Sequence, residues 1–284
     1  DALQTASTAT AERIQPMFEI PAFKGSTANA KRFENLAQPT VAYLNEIVVK
    51  IATVRPGMPC FLDSRHWAPN ATLENGEHVL SYALSRLSAL GVHTNPVVNY
   101  DVWDDPEYQE VFKNAGASDA GTLCIRLESD AFDDMDDPDY FSDRLNSIIT
   151  ATAFPEAQIC ILIDFRDTTA LSVVDMQAVA EKCIDNLNSW QFAYIGIAGS
   201  SIPIMINDAV EEVNSTGYVT RKEVLTWKAL TTQSAARMLS MMFPHPMPTE
   251  RSDTQSPTNS SLCAGTLSSF MTKGSSTTAF RLKW

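Results

Sequence analysis

Two apolar runs of strand length bracket one amphipathic helix between Gln158 and Pro203, and few architectures accommodate that pattern. Ile159 to Ile163 is unbroken apolar sequence ending at Asp164. Phe192 to Ala198 is a second such run, ending in Gly199, Ser200 and Ser201. Between them Val173, Met176, Ala180, Cys183, Leu187 and Trp190 recur at steps of three and four, which makes one apolar helix face. Ser172, with Asp175 three residues on, supplies a capping box at the helix start. Strands buried on both faces and joined by such a helix form a right-handed βαβ unit with parallel strands.

The unit recurs along the chain. Strand-like runs begin near residues 14, 58, 93, 122, 158 and 191, and intervals of roughly 30–45 residues suit one βα unit each. Lys31 to Val54 has helical spacing that Pro39 should divide. His78 to Leu90 is helical and ends at Gly91, a favoured residue after a helix. Asp105-Pro106 and Asp137-Pro138 each place Asp at the N-cap and Pro at the first helical position. Asn207 to Val213 and Arg221 to Ala236 also read as helices.

Six strands alternating with helices predict an α/β fold with a parallel sheet. No Gly-rich phosphate loop follows the first strand, so the Rossmann fingerprint is absent. Residues 1–13 read as a helix, an odd start for a βα chain, so a strand before Asp1 is expected. One more strand at Thr266 to Thr272 brings the count to eight. The fold predicted is therefore α/β, TIM-barrel-like (βα)8, with its first strand missing and its last unit degenerate. Residues 1–243 form the barrel domain. Residues 244–284 form an irregular Ser/Thr/Pro-rich segment that holds the last strand.

Composition narrows the function. The net charge is −13 over 284 residues, which argues against a broad nucleic-acid-binding face. No stretch reaches the ~18 apolar residues needed to cross a bilayer, and no signal peptide opens the chain. The five cysteines form no CxxC pair and read as buried free thiols. No membrane association and a cytoplasmic location are expected.

In a βα barrel the functional face lies at the carboxyl ends of the strands. Those ends carry Glu19, Asp63 and Arg65, Asn99 and Asp101, Arg126 and Glu128, Asp164 and Arg166, and Ser200 and Ser201. A spacing of two puts both members of each charged pair on one side of their strand. Arg126 interrupts the apolar run Leu123 to Leu127, so it must be paired or face a site. Either it closes the interior as a salt bridge to Asp164 or Asp63, or it binds an anion such as phosphate or carboxylate. Asp164 is a candidate base or a structural partner of Arg126. His66, at a strand end, is the best-placed acid/base histidine. Gly199, Ser200 and Ser201 suggest either a backbone nest for phosphate or a tight turn. The histidines show no zinc-binding spacing. The acidic run from Asp130 to Asp139 lacks the features of an EF-hand loop and reads as a solvated loop feeding a helix.

IQPMFEIP, CFLDSRH, LCIRLES, ICILIDFRD and YIGIAGSSIP occur in that order. Together they resemble the successive blocks of the beta protein family, which is found in phages and bacteria and named for a bacteriophage T4 protein. The resemblance covers roughly residues 10–235. It implies a phage–host setting, and it attaches no established activity. The family's Gly-Asp-Tyr block is missing here, and composition becomes Ser/Thr/Pro/Met-rich after about Arg237.

Three functional classes follow. The first is a protein that binds a small anionic, nucleotide- or phosphate-like ligand through Glu19, Asp63, Arg65, Arg126, Glu128 and the Gly199–Ser201 turn. The second is a phosphoester-processing enzyme with Asp164 or His66 as base. It would be assisted by Mg²⁺ if three carboxylates converge, although no dedicated metal site or cofactor is indicated. The third is a surface-mediated inhibitor of a host factor, whose partner is a host or phage protein.

Overall fold

The computed structural model describes residues 7, 14–113, 115–117, 121–203 and 218–233. Six strands are present among them: β1 (Met17–Glu19), β2 (Cys60–Asp63), β3 (Thr94–Asn99), β4 (Leu123–Leu127), β5 (Ile159–Asp167) and β6 (Tyr194–Ser200). Every neighbouring pair is parallel, and the order across the sheet equals the order along the chain. Around the sheet run α1 (Gly25–Ala28), α2 (Pro39–Val54), α3 (Val79–Ala89), α4 (Pro106–Phe112), α5 (Ser129–Asp134), α6 (Pro138–Thr152), α7 (Val173–Asn186) and α8 (Lys222–Gln233).

The sheet has two cores because its strands are apolar on both faces. The larger lies between sheet and helices and takes Leu62, Val98, Ile125, Ile161 and Ile163 from the strands. Leu44, Leu80, Leu145 and Cys183 meet them from the helices. The smaller core comprises Met17, Phe61, Val97, Cys124, Cys160, Leu162 and Ala198 on the other face.

That second face is concave. In a flat sheet β1 and β4 would stand about 14 Å apart, three interstrand spacings. Yet Arg126 on β4 reaches Glu19 on β1 at 2.6 Å. The six strands thus form a curled half-barrel. A closed eight-stranded ring is not seen among the described residues. The helices expected over residues 1–13 (Ser7 apart) and 207–213, the strand at 266–272 and the 244–284 segment lie outside the described residues.

Local signals account for the starts of α4, α6 and α7. Ser172 Oγ accepts the Asp175 N–H at 3.0 Å and donates to the Asp175 carboxylate at 2.7 Å. Asp105 accepts from the N–H groups of Glu107 and Tyr108, and Asp137 from that of Tyr140. Pro39 divides the long helical pattern as expected: a 3-10 turn at Lys31–Phe33 precedes α2.

Some boundaries differ from expectation for identifiable reasons. β1 begins at Met17 rather than Ile14, because Pro16 has no N–H to give to a ladder. β5 runs past Asp164 to Asp167 through a register shift, with Arg166 at φ 56°. Part of the acidic run is a helix rather than a loop. The carboxylate of Asp101 accepts the N–H groups of Asp130 and Ala131, which gives α5 a cap from a different strand end.

Candidate ligand-binding site

Strand alternation decides what fills the concave face. Met17 and Glu19, Phe61 and Asp63, Cys124 and Arg126, and Leu162 and Asp164 share it pairwise. In each pair the apolar member comes first along the strand and the charged one last. The bowl is therefore greasy at the amino ends and ionic at the carboxyl ends.

Arg126 is the centre, and it is wholly buried. Its Nη2 donates to Glu19 Oε1 at 2.6 Å, and its Nη1 donates to Asp63 Oδ2. Its Nε lies 2.9 Å from Asp164 Oδ2 and 3.5 Å from Glu128 Oε1. Arg65 forms a second tier, with Glu128 Oε1 at 3.0 Å, Glu19 Oε1 at 3.4 Å and Asp164 Oδ2 at 3.9 Å. His66 Nε2 is 3.0 Å from Glu19 Oε2. Arg166 Nη1 is 3.6 Å from Glu128 Oε2.

Two backbone turns hold the acidic members. Asp63 Oδ1 accepts the Arg65 N–H at 2.9 Å, and Asp164 Oδ1 accepts the Arg166 N–H at 2.8 Å. Asp-x-Arg therefore does the same job at two strand ends: the carboxylate fixes the turn that launches the arginine. The second turn holds Arg166 in the left-handed region, which costs a non-glycine residue about 1–3 kcal/mol and concentrates at functional sites.

Four carboxylates face three guanidiniums. Burial works to raise the Glu19 carboxyl, but Arg126, Arg65 and His66 prevail and hold it below the usual carboxylate range. Asp63 and Glu128 are pushed up, burial outweighing their arginine partners. Arg126 is pushed up: burial opposes its charge, and Asp63, Asp164 and Glu19 overcome that penalty. Arg126 Nε, Asp164 Oδ2 and Glu128 Oε1 are buried without an aligned hydrogen bond among the described residues, although both oxygens lie within ion-pair distance of Nε.

The structure thus gathers Glu19, Asp63, Arg65, His66, Arg126, Glu128 and Asp164 into one network. It does not bring the Gly199–Ser201 turn there. Ser201 Oγ is bonded to Thr168 Oγ1 at 2.8 Å, donates to Glu223 Oε2 at 2.6 Å and accepts the Lys222 N–H at 2.9 Å. Ser200 Oγ donates to the Ile202 carbonyl at 3.3 Å. A Cβ on Gly199 would lie 2.7 Å from Thr168 Cγ2. The turn docks α8 against β5, and its glycine is required by that close approach.

Among the described residues no three His, Cys, Asp or Glu side chains are disposed to hold a metal ion. The carboxylates that might have done so surround the guanidinium of Arg126. A surface groove of about 480 Å³ is lined by Leu36, Gln38, Val41, Asn45 and Glu74 and by none of the network residues. No described helix is long and apolar enough to cross a membrane. Arg166 is the network member given least weight by sequence; its pairing with Asp164 at a spacing of two was the available signal.

A sequential parallel half-barrel with a charged bowl at its carboxyl edge defines a singly wound βα-repeat protein. The family model described as beta protein matches residues 1–240. The chain belongs to the beta protein family. The match ends close to Arg237, where the composition changes. No curated protein and no solved structure matches the chain.

Proposed function

We propose that the bowl binds a small anionic ligand, nucleotide- or phosphate-like, at the carboxyl ends of the strands. One observation carries this reading. Of the eight ionisable side chains of the network, the two most exposed are Arg166 and His66, with side-chain exposures of 56% and 34%. All four carboxylates lie beneath them, with exposures of 4% or less. A ligand therefore meets the Arg166 guanidinium and the His66 imidazole first. Arg126 and Arg65 hold the carboxylates down and keep the rim in place. The strained backbone at Arg166 supports the same reading.

The sequential strand order favours a TIM-barrel-like domain. The four described cysteines are free and buried, which suits a reducing cytoplasm. The family resemblance supports a phage–host setting for that binding.

The test is titration of the protein with inorganic phosphate, sulfate and AMP, followed by NMR or calorimetry. The wild type should bind at least one of them. The Arg166→Gln/His66→Gln double variant, folded by its melting curve, should bind that anion about 10–100-fold more weakly. Equal binding by both proteins, or no binding by the wild type, defeats the reading.

A further inference from the structure

Glu128 is the carboxylate on which the rim and the buried network meet. Arg65 lies 3.0 Å from its Oε1 and Arg126 Nε 3.5 Å, both from buried side chains. Arg166 approaches its other oxygen, Oε2, at 3.6 Å from an exposed one. Asp164, the remaining charged neighbour, belongs to the same strand as Arg166. From its own strand Glu128 meets Arg126, from the segment after β2 it meets Arg65, and from β5 it meets Asp164 and Arg166.

Of these partners only Arg166 can leave without opening the core. We propose, resting on the anion-binding reading above, that the bound anion and Glu128 compete for Arg166, and that Glu128 takes a proton from solvent as Arg166 turns to the anion. The balance is simple. The guanidinium keeps its charge and exchanges one anionic partner for another. Glu128 loses one of its three cations while Asp164 continues to repel its charge, and a solvent proton neutralises it. Burial already favours the neutral form of this carboxyl. The proton would thus offset one of the negative charges that the anion brings to an acid-rich bowl.

Proton uptake means that affinity rises as pH falls. His66 also stands at the rim, so the test is made in the His66→Gln protein, in which Arg166 still holds sulfate, more weakly than in the wild type. Sulfate is the probe, because it has no titrating proton near neutrality. Calorimetry in buffers of different ionisation enthalpy, between pH 5 and 7.5, counts the protons. In His66→Gln, uptake of up to about one proton per bound sulfate is expected, with affinity rising by up to ~10-fold per pH unit across the transition. In His66→Gln/Glu128→Gln, sulfate should still bind, and both the uptake and the pH dependence should vanish. Melting curves establish that each variant is folded. If Glu128→Gln does not fold, ¹³C-glutamate NMR of the His66→Gln protein replaces it, and one buried carboxyl should protonate as sulfate is added.

Sulfate binding without uptake in His66→Gln, uptake that survives in the double variant, or an unchanged carboxyl signal overturns the exchange but leaves anion binding standing. If AMP or phosphate binds and sulfate does not, the exchange is also overturned, since it needs only a tetrahedral anion at Arg166. Failure of every anion to bind removes the anion-binding reading itself.

Discussion

Arg126 and Glu19 bond at 2.6 Å although three strand positions separate them in the sheet. The bond is both a product of the curl and a clamp on it. It joins the first described strand to the fourth across the bowl, so its loss should be felt in stability.

Arg126→Met should destabilise the protein by about 3–5 kcal/mol at pH 7, because four buried carboxylates would lose their central cation. The deficit should shrink toward pH 5 as those carboxylates become free to take protons. Urea unfolding at the two pH values measures this. A loss under about 1 kcal/mol at pH 7 would show that the guanidinium only compensates for its own burial.

The carboxylates should pull the pH profile in opposite directions. Glu19 is held below its unfolded value of 4.5, so its contribution is present above that pH and is lost as pH falls through its folded value. Glu128 and Asp63 are raised above 4.5 and 3.8, so the folded state binds their protons more tightly. Their contribution is present at acid pH and falls away as pH rises through the folded values. Glu128→Gln should therefore gain stability relative to wild type as pH is raised from about 4.5 to 7. Unfolding curves of the two proteins over that range will show the crossing trend; parallel curves would contradict the raised Glu128.

Gly199→Ala should cost about 1–3 kcal/mol, since the added methyl meets Thr168 Cγ2 at 2.7 Å. Thr168→Ser removes that methyl and keeps the hydroxyl bonded to Ser201. The double variant should recover most of the loss in a thermodynamic cycle. No recovery would mean that the glycine is needed for some other reason.

Arg166→Gly should stabilise the fold by about 1 kcal/mol, because glycine accepts φ 56° without strain. The same substitution should weaken sulfate binding about 10-fold. A variant that is more stable and binds more weakly is the signature of strain kept for a purpose. Thermal melts and a sulfate titration on one sample decide it.

Lys222→Met should loosen the loop after β5. Its ammonium donates to the carbonyls of Thr168, Thr169 and Leu171 at 3.0, 2.8 and 2.8 Å. A loss of about 1–2 kcal/mol is expected, with faster hydrogen exchange confined to residues 167–172. Uniform acceleration across the sheet would instead indicate global unfolding.

The sheet and most of the network were legible because each relevant strand is a run of apolar residues ended by a charge. Asp63, Arg126 and Asp164 announce themselves that way, and the period of two places them on one face. The partners of Ser201, Lys222 and Glu223, were not legible because they lie across 14 residues outside the described part and belong to α8. α5 was hidden for a similar reason: its cap is Asp101, from a separate strand end. The exposure of Arg166 depends on a register shift between β5 and β6, which no local pattern records.

The agreement between strand order and chain order also fixes an assembly schedule. Each strand can leave the ribosome with its docking neighbour already in place. Glu19 and Asp63 are both made before Arg126, so the guanidinium arrives at a bowl that already carries two counter-ions. Asp164 follows roughly 40 residues later, a delay of about 2–8 s at ordinary synthesis rates. For those seconds the nascent bowl has an incompletely paired cation at its centre. Any factor that attends this chain during synthesis would meet its most polar interior surface then, before β5 covers it.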